Sequence, residues 1–430
     1  MKNNNLTAKR LLILGGNPET AALVRFANSL GVHTIIIDPN PNSPAKKYAV
    51  EAYDIEVMNA QALWEKVKEL NLDGILVGVA DILVPSYYNI CKAMNFPCYA
   101  TLDSIETFTT KNGFRNKCEK NDIGVIPYYT VSEKFTDSEV SSLSFPVLVK
   151  PVDNGAGVGM NISTNIDELR KHINIALQHS KRKEFLVEKY MYCDDMLVYY
   201  TISDGVPHLS AAADRYTTKI QQVGSPVCSL AVYPSKYLNV YLDQVHNKVV
   251  NLIHDTSVEN GVLNIQFFVD DGSFYAYDPG FRLQGEAPHL YLKKINEFDN
   301  REMLINFALT SNTQQPDLNI KNDPFFKGKY AATLWVLLKE GKIGSIIGLE
   351  QIEKHQNVFQ IIQRFSLGEK VSREMIGTER QVFARFYMVA DSKSELRNTI
   401  KFVQDNLKVY DNKNTDMILE IFDINKTDLK

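Results

Sequence analysis

The chain has 430 residues, of which 44% are hydrophobic and 23% are charged, as in a soluble globular protein of about two or three domains. Its net charge of −4 gives no general positive field, which argues against non-specific binding to nucleic acid. No apolar run approaches the roughly 20 residues of a membrane-spanning helix, so we expect neither a nucleic-acid nor a membrane partner.

Cysteine usage predicts a reducing compartment. The number of cysteines is odd and no Cys-x-x-Cys pair occurs, so we expect neither disulfide bonds nor a structural zinc site. The N-terminal segment lacks the apolar stretch of a signal peptide, and a cytoplasmic protein is therefore expected. The cysteines are Cys91, Cys98, Cys118, Cys193 and Cys228.

The first hundred residues alternate between predicted strands and helices. Buried strands are predicted at residues 10–15, 32–38 and 73–77, and helices at 20–30 and 60–70. This alternation is typical of a parallel sheet with right-handed crossovers, and ligands commonly bind at the carboxyl ends of such strands.

Polar residues follow these strands. The turn Gly15-Gly16-Asn17-Pro18 resembles a dinucleotide loop but lacks the Gly-x-Gly-x-x-Gly pattern, which leaves a nicotinamide-dependent dehydrogenase as a minor alternative. Asp38 and Asp81 are placed near the ligand-binding edge, although a solvated loop position is the simpler explanation for each.

A lysine followed by a glycine-rich loop comes next. A buried strand at 145–149 leads to Lys150, and the loop contains Gly155, Gly157 and Gly159. Glycines let backbone N–H groups approach an anion closely, and a lysine at a strand end can reach the same phosphates. The loop is not a Walker loop, because no Gly-Lys-Ser/Thr ends it, and its lysine precedes the glycines, unlike a dinucleotide fingerprint.

A second apolar strand is predicted at 185–187 and continues through residues 188–191. A ligand edge on this stretch can hydrogen-bond to its backbone and side chains. Asp195 lies seven residues after Glu188 and can accept hydrogen bonds from a pair of ribose hydroxyls.

Helices are predicted at 162–179 and 240–256, with a strand-like run at 207–216 between them. The run ends near Arg215, and Lys219 follows. These two cations can bind phosphate or a substrate carboxylate, or they can belong to a surface turn.

The segment 263–285 predicts a hairpin of two strands around a tight turn at residues 270–272. Gln266 lies on the first strand, Asp278 lies where the second is predicted to enter a loop, and Arg282 follows. Such a hairpin can present an oxygen ligand from each strand to one metal ion. An ordinary hairpin with polar residues at its solvated end explains the pattern equally well.

Beyond the hairpin, Glu286 and His289 can face a substrate. A last unit has predicted strands at 330–338 and 381–389 and an amphipathic helix at 394–406.

The order of these motifs resembles the ATP-grasp superfamily. It runs from Lys111 in TKNGF through LVKP and the glycine loop, then VEKYM with Asp195, to the QFFVDDG…DPGFR hairpin. The resemblance covers most of the chain. It implies a multidomain α/β and α+β fold with an N-terminal preATP-grasp (Rossmann-like) parallel-sheet domain at 1–107. A two-lobed ATP-grasp domain at 108–325, with its lid lobe at about 125–190, and a small C-terminal α+β domain at 326–430 are expected to follow.

The resemblance also implies which residues contact the phosphates. Lys111 matches the lysine that opens the ATP-grasp domain, and Lys150 matches the second lysine that contacts the nucleotide. The loop glycines Gly155, Gly157 and Gly159 match the loop over the phosphates.

The base and ribose contacts are implied in the same way. Glu188, Lys189, Tyr190 and Met191 match the segment that holds adenine, and Asp195 matches the acid that holds the ribose.

Gln266 and Asp278 match the two positions that hold metal, and Arg282 matches the arginine that contacts the transferred phosphate. Many relatives have Glu-x-Asn-Pro-Arg where this chain has DPGFR. Gly280 supplies no side-chain ligand and Gln266 is neutral, which puts a second metal ion in doubt.

The function implied is that of an ATP-dependent carboxylate–amine ligase, with ATP and Mg²⁺ (or Mn²⁺) as cofactors and a small-molecule carboxylate and an amine as substrates. A homodimer is compatible with this resemblance. The C-terminal segment GKIGSIIGLEQIEKH resembles the biotin-carboxylase-like and L-amino-acid-ligase-like members. Two alternatives stay open: an enzyme of the purine-pathway or carboxylase type that activates bicarbonate, and a non-catalytic nucleotide-binding or regulatory protein.

Overall fold

The computed structural model describes residues 6–152, 158–218, 227–314 and 317–429. The strands in this part of the chain are β1 Arg10–Leu14, β2 His33–Ile37, β3 Glu51–Tyr53, β4 Gly74–Val77, β5 Tyr128–Tyr129, β6 Val147–Pro151, β7 Asn161–Ser163, β8 Phe185–Lys189, β9 Asp194–Ser203, β10 Val206–Thr217, β11 Cys228–Tyr233, β12 Gly261–Asp270, β13 Ser273–Gly280, β14 Tyr330–Leu337, β15 Gly341–Ile347, β16 Val358–Gln363, β17 Lys370–Val371, β18 Val382–Ala390 and β19 Lys408–Asp411. The helices are α1 Pro18–Ser29, α2 Ala60–Glu69, α3 Val84–Met94, α4 Leu102–Thr109, α5 Lys111–Lys120, α6 Asp137–Val140, α7 Ile166–His179, α8 Leu238–Gln244, α9 His246–His254, α10 His289–Tyr291, α11 Asn300–Thr310, α12 Leu318–Lys321, α13 Leu349–Glu353 and α14 Lys393–Asn406.

The N-terminal unit is a parallel sheet with the strand order β3-β2-β1-β4. Its apolar strands are buried, as the alternating pattern predicts. The glycine-containing turn after β1 begins α1: the Asn17 side chain accepts a hydrogen bond from the Thr20 amide and donates one to the Val79 carbonyl. A Cβ at Gly16 would lie 2.2 Å from Ser43 Oγ. Helix capping and close packing therefore explain this turn without a dinucleotide.

A small antiparallel sheet with the order β5-β8-β6-β7 forms the unit predicted as the lid lobe. Helix α7 packs against it, and the two share a separate apolar core that includes Val147, Val149, Ile173 and Val187. This core is distinct from that of the N-terminal sheet, so the small sheet forms its own packed unit.

The largest element is an eight-stranded sheet with the order β13-β12-β9-β10-β11-β14-β18-β16. It continues through the pairing of β11 with β14, where Leu230 lies opposite Leu334. The sheet thus crosses the predicted boundary at 325/326, and α4 spans the boundary at 107/108. The division into domains stays a prediction.

Two predicted helices differ from those observed. The helix predicted from residue 162 begins at Ile166, because Asn161–Ser163 pairs with β6 as an edge strand and Asn165 caps the helix. The helix predicted at 240–256 is broken at Val245, whose backbone (φ −123°, ψ −36°) leaves the helical region. In both cases the helical spacing of apolar residues in the sequence extends beyond the residues that form one continuous helix in the structure.

The predicted hairpin is present as β12 and β13. Asp271 and Gly272 join the strands with positive φ values of 45° and 77°, as a two-residue type I′ turn requires. Asp278 lies inside β13 opposite Gln266, not in the loop after it. Among the described residues no helix has both the length and the apolar character needed to cross a membrane.

Candidate functional site

A cavity of about 1480 Å³ lies between the small antiparallel sheet and the large sheet. It brings together most of the described residues that the sequence predicted for nucleotide and metal binding. Its lining includes Lys111, Arg115, Lys150, Glu188, Tyr190, Met191, Tyr192, Cys193, Asp195, Arg215, Gln266, Tyr277 and Asp278. We call this space the cleft.

One end of the cleft carries the predicted phosphate lysines. Lys111 is the first residue of α5, and its Nζ donates to the Pro151 carbonyl at 3.2 Å. Lys150 projects from within β6, and its Nζ lies 2.5 Å from Glu188 Oε2. Two cations from different elements therefore line the same end of the cleft.

Glu188 is held by two cations. Its side chain is only 5% exposed, and Arg115 Nη2 donates to Oε1 at 3.1 Å while Lys150 pairs with Oε2. The charge of Lys150 is thus neutralised within the protein until a ligand competes for it. Glu188 therefore contributes to the cleft as the partner of two basic residues.

Of the predicted loop glycines, Gly155 and Gly157 lie outside the described residues. Gly159 has a φ of 77°, and a Cβ there would lie 2.8 Å from His179 Cβ and 2.9 Å from Pro151 Cγ. Both the backbone conformation and the packing require glycine at this position.

Of the residues predicted to hold adenine, Glu188, Tyr190 and Met191 line the cleft. The backbone of Glu188 is already paired with strands on both sides, and the Lys189 and Tyr190 amides donate to the carbonyls of residues 127 and 146. Tyr192 and Cys193 continue the lining of the cleft at this edge. Burial raises the pKa of the Cys193 thiol to about 12, which is consistent with a bystander thiol.

The floor of the cleft contains Arg215, which the sequence left between a ligand contact and a surface turn. It lies in β10, and its side chain is 12% exposed. Nη1 donates to Asp195 Oδ2 at 2.9 Å and to Gln266 Oε1 at 2.9 Å. Nε donates to Glu286 Oε1 at 3.2 Å, and Nη2 lies 3.0 Å from the same oxygen.

Two of these partners, Asp195 and Glu286, are carboxylates that the sequence predicted to contact or face a ligand. Asp195, the predicted ribose acid, is paired with Arg215 and accepts from the Tyr277 hydroxyl at 3.1 Å. Burial raises the pKa of the Asp195 carboxyl to about 6 against the opposing effect of Arg215. Glu286 is buried, pairs with Arg215 and accepts from the Tyr199 hydroxyl at 3.0 Å.

Among the described residues, no arginine or lysine forms an ion pair with Asp278 on the floor of the cleft. Its side chain is exposed to the cleft, and Gln266 Nε2 lies 3.5 Å from Oδ2. The surrounding walls reduce its hydration and Asp81 adds like charge, and together they raise the pKa of Asp278 to about 6. It is the oxygen donor on the hairpin best placed to meet a cation from the cleft.

Arg282 joins the hairpin to the N-terminal unit. Nη2 donates to Asp81 Oδ2 at 2.7 Å, and Nη1 donates to the Leu283 carbonyl at 2.9 Å and to Gln284 Oε1 at 2.6 Å. Glu286, four residues later, pairs with Arg215 and not with Arg282. Arg282 is not among the described residues that line the cleft.

His289 lies in a buried position at the start of α10, and its Nδ1 has no hydrogen-bond partner in the part of the chain that the structure describes. Burial lowers the pKa of its imidazole to about 3. His289 is outside the lining of the cleft, and Lys219 lies outside the described residues.

Sequence reasoning missed a group of charged residues behind the hairpin. Arg385 in β18 is 2% exposed, contacts the Gly285 carbonyl and pairs with Glu379 at 3.0 Å. Arg364 pairs with Glu19 from the N-terminal unit. An arginine in the otherwise apolar run VFARFYMVA was the available signal, because a buried charge needs partners.

Comparisons with known proteins bear on the fold that contains this cleft. The family model described as the D-ala D-ala ligase C-terminus matches residues 119–224. The L-amino acid ligase from Bacillus licheniformis superposes with a TM-score of 0.76 at 16% identity, covering 94% of this chain and 99% of that one. The phosphoribosylglycinamide synthetase from Anaerococcus prevotii superposes with a TM-score of 0.74 at 17% identity, covering 94% and 100%.

The chain has the ATP-grasp fold. The resemblance predicted from the motifs is thereby confirmed. Among curated sequences, the carbamoyl phosphate synthase large chain of Clostridium botulinum is 24% identical over 311 residues, which are 67% of this chain and 28% of that one. The formate-dependent phosphoribosylglycinamide formyltransferase of Francisella tularensis is 24% identical over 206 residues, 46% of this chain and 52% of that one. The match thus spans about half or less of these relatives.

The metal donors of this ATP-grasp cleft fit one ion. No group of three or more His, Cys, Asp or Glu side chains suited to a metal occurs in the ranges that the structure covers. Asp278 offers a carboxylate to the cleft, and Mg²⁺ in nucleotide sites is commonly held by one or two carboxylates together with phosphate oxygens. Gln266 presents its amide nitrogen, not its oxygen, towards Asp278.

Proposed function

We propose that this chain is an ATP-dependent ligase that activates a carboxylate as an acyl phosphate and joins it to an amine, releasing ADP and phosphate. The observation that carries the proposal is the cleft itself: one space is lined by Lys111 and Lys150, by the edge Tyr190–Cys193 and by Asp278. The ATP-grasp fold and the ligases among its structural relatives support the same reaction class.

The lysines fit a triphosphate. Both project from ordered elements, Lys111 from the first turn of α5 and Lys150 from β6, so their positions are fixed before a ligand arrives. Charge-assisted contacts from two directions hold the phosphates in line, and phosphoryl transfer depends mainly on such positioning and on charge neutralisation.

Asp278, together with phosphate oxygens, is the residue that would hold Mg²⁺, which neutralises phosphate charge during transfer. The substrate carboxylate attacks the γ-phosphorus to form an acyl phosphate, and the amine then displaces phosphate. The small sheet over the cleft excludes water, which would otherwise hydrolyse this intermediate. Arg282, which pairs with Asp81, is proposed to stabilise charge on the transferred group.

The substrates are proposed to be a small carboxylic acid and an amine, with amino acids as the first choice. The amino-acid ligase superposes with a TM-score of 0.76 and covers 94% of the chain. An enzyme that activates bicarbonate is the second candidate, supported by the likeness to the biotin carboxylase domain from Hydrogenobacter thermophilus, with a TM-score of 0.72 at 16% identity.

The test is ADP release from Mg-ATP with a panel of amino acids and with bicarbonate. A ligase is expected to release ADP only when a carboxylate and a nucleophile are both present, and mass spectrometry should detect the condensed product. A non-catalytic nucleotide-binding protein would bind ATP without ADP release under any of these conditions. Release with bicarbonate alone would favour the second candidate.

We also propose a cytoplasmic location, because all five cysteines are free thiols, as is usual in a reducing compartment. A homodimer is proposed by analogy with the dimer of the Hydrogenobacter domain. Sedimentation of the purified chain tests this assembly.

A further inference from the structure

Three oxygen acceptors converge on one guanidinium at the floor of the cleft. Asp195 comes from β9, Gln266 from β12 and Glu286 from the segment after β13, and each lies 2.9–3.2 Å from a nitrogen of Arg215. Oxygen atoms from three separate segments around a single positive centre could also surround a divalent cation, which takes oxygen ligands. Here the guanidinium of Arg215 occupies the position between the three oxygen acceptors.

The orientation of the Gln266 amide follows from this contact. Arginine only donates hydrogen bonds, so the Gln266 atom that faces Arg215 Nη1 is the oxygen Oε1. The Tyr277 hydroxyl lies against the same oxygen. The amide nitrogen Nε2 is consequently directed at Asp278, and an amide N–H₂ group cannot coordinate a metal ion. The neighbour of Asp278 on the paired strand therefore contributes no metal ligand.

Gly280, two residues after Asp278 in β13, is also unable to provide a metal ligand. A Cβ at Gly280 would lie 2.5 Å from Asn264 Nδ2, which donates to the Gly280 carbonyl at 2.8 Å. Asn264 is buried and already fills this space. A second oxygen ligand beside Asp278 is thus absent both at 266 and at 280.

We infer that Arg215 supplies, on the floor of the cleft, the positive charge that a second divalent cation would supply, and that the site takes one metal ion, at Asp278. This inference rests on the proposed nucleotide-dependent function. Arg215 acts through the residues that it positions: it holds Asp195 and Glu286 as compensated carboxylates and turns Gln266 away from the metal. A guanidinium is permanently charged, so this part of the site is independent of the Mg²⁺ concentration.

The first test counts metal ions in the intact protein. The chain is titrated with Mn²⁺ in the presence of a non-hydrolysable ATP analogue, and bound Mn²⁺ is measured by electron paramagnetic resonance while calorimetry measures analogue binding. One Mn²⁺ per chain without Mn–Mn coupling is expected. Two bound, coupled ions with the analogue in place would overturn the inference, whereas failure to bind the analogue would contradict the proposed function.

The second test removes the guanidinium and needs no nucleotide. In Arg215→Gln the acceptors Asp195, Gln266 and Glu286 lose their shared donor, and Mn²⁺ is expected to take its place. The variant should bind one Mn²⁺ that the wild type does not bind without nucleotide, and saturating Mn²⁺ should raise its Tm by about 4 °C or more.

A matched control is Arg301→Gln. Arg301 is similarly buried, at 11% exposure against 12% for Arg215, but it pairs at 2.7 Å with Asp299 outside the cleft. It should gain no Mn²⁺ site. A folded Arg215→Gln that gains no Mn²⁺ would overturn the inference. If this variant is unfolded without metal, circular dichroism decides: refolding with Mn²⁺ supports the inference, and a chain that stays unfolded at millimolar Mn²⁺ rejects it.

Discussion

At the residue scale, Glu188 pairs with two basic residues that line the cleft. Lys150 and Arg115 contact different oxygens of the same carboxylate. A triphosphate must compete with Glu188 for Lys150. The Lys150 side chain is already held in place before ATP binds. Its net contribution to ATP binding is the difference in free energy between its contact with phosphate and its contact with Glu188.

Lys150→Ala is expected to weaken ATP binding roughly tenfold to a hundredfold, because a charge-assisted hydrogen bond contributes about 1.5–3 kcal/mol. The variant should fold, since Arg115 still pairs with Glu188. Calorimetric titration measures the change. Lys171→Ala, at an exposed position on α7, is the control and should bind like the wild type. An unchanged affinity in folded Lys150→Ala would remove this lysine from the nucleotide site.

Arg282→Lys should lower turnover by about 10²–10³ while ATP affinity and Tm change little, because a transition-state contact of bidentate geometry is lost but the charge is kept. The structure adds a comparison: Asp81→Asn removes the carboxylate that pairs with Arg282 and leaves the guanidinium in place. Steady-state kinetics on both variants separates the roles. Equal losses in the two variants would show that Arg282 serves only to tie the hairpin to Asp81, and full turnover in the lysine variant would reject the catalytic role.

At the scale of elements, the hairpin illustrates how well a pattern predicts structure when every local signal agrees. Alternating apolar residues and an Asp-Gly turn predict both strands and their connection, and β12 and β13 follow. Asp278 was predicted to lie where the second strand enters a loop, but it lies inside β13. The strand continues through Pro279 because β13 is an edge strand, where proline is tolerated.

Gly280→Ala is expected to destabilise the chain by about 1–3 kcal/mol, because the new Cβ displaces the buried Asn264 amide and breaks its hydrogen bond. Urea unfolding measures the loss. Gly285→Ala is the matched control: its Cβ would meet the Glu19 Cγ at 3.4 Å, an ordinary contact, so a small effect is expected. Equal stability of Gly280→Ala and the wild type would show that Asn264 yields freely.

Some of the residues that line the cleft could be predicted from the sequence, because they belong to short local motifs. Lys111, Lys150, Asp195 and Gln266 belong to local motifs whose chemistry can be identified in the sequence, and all of them line the cleft. Their partners were not predictable, because a contact such as Lys150 with Glu188 depends on the register between strands. The role of Arg215 follows only from the convergence of three acceptors in space.

At the scale of the whole molecule, charged pairs link segments that are far apart in sequence. Arg282 reaches Asp81 across 201 positions, and Arg364 reaches Glu19 across 345. No periodicity or motif in one segment specifies such a partner. These pairs connect the N-terminal sheet, the hairpin and the C-terminal strands behind the cleft.

Glu19→Gln should destabilise the chain by about 2–3 kcal/mol, because it removes the carboxylate that lies beside two buried arginines, Arg364 and Arg385. The control is Glu350→Gln, whose exposed pair with Lys354 should contribute less than about 0.5 kcal/mol. Urea unfolding with matched m-values measures both. Equal effects would show that Glu19 does not stabilise the contact between the N-terminal and C-terminal units.

The central claim, that the chain activates a carboxylate with ATP, is tested most directly by the fate of the carboxylate oxygen. Once the substrate screen has supplied a pair, the acid is labelled with ¹⁸O and turned over with Mg-ATP and its amine. Acyl phosphate chemistry predicts one ¹⁸O atom in the released phosphate and ADP as the nucleotide product, both measured by mass spectrometry. Unlabelled phosphate, or AMP in place of ADP, would contradict the proposed reaction.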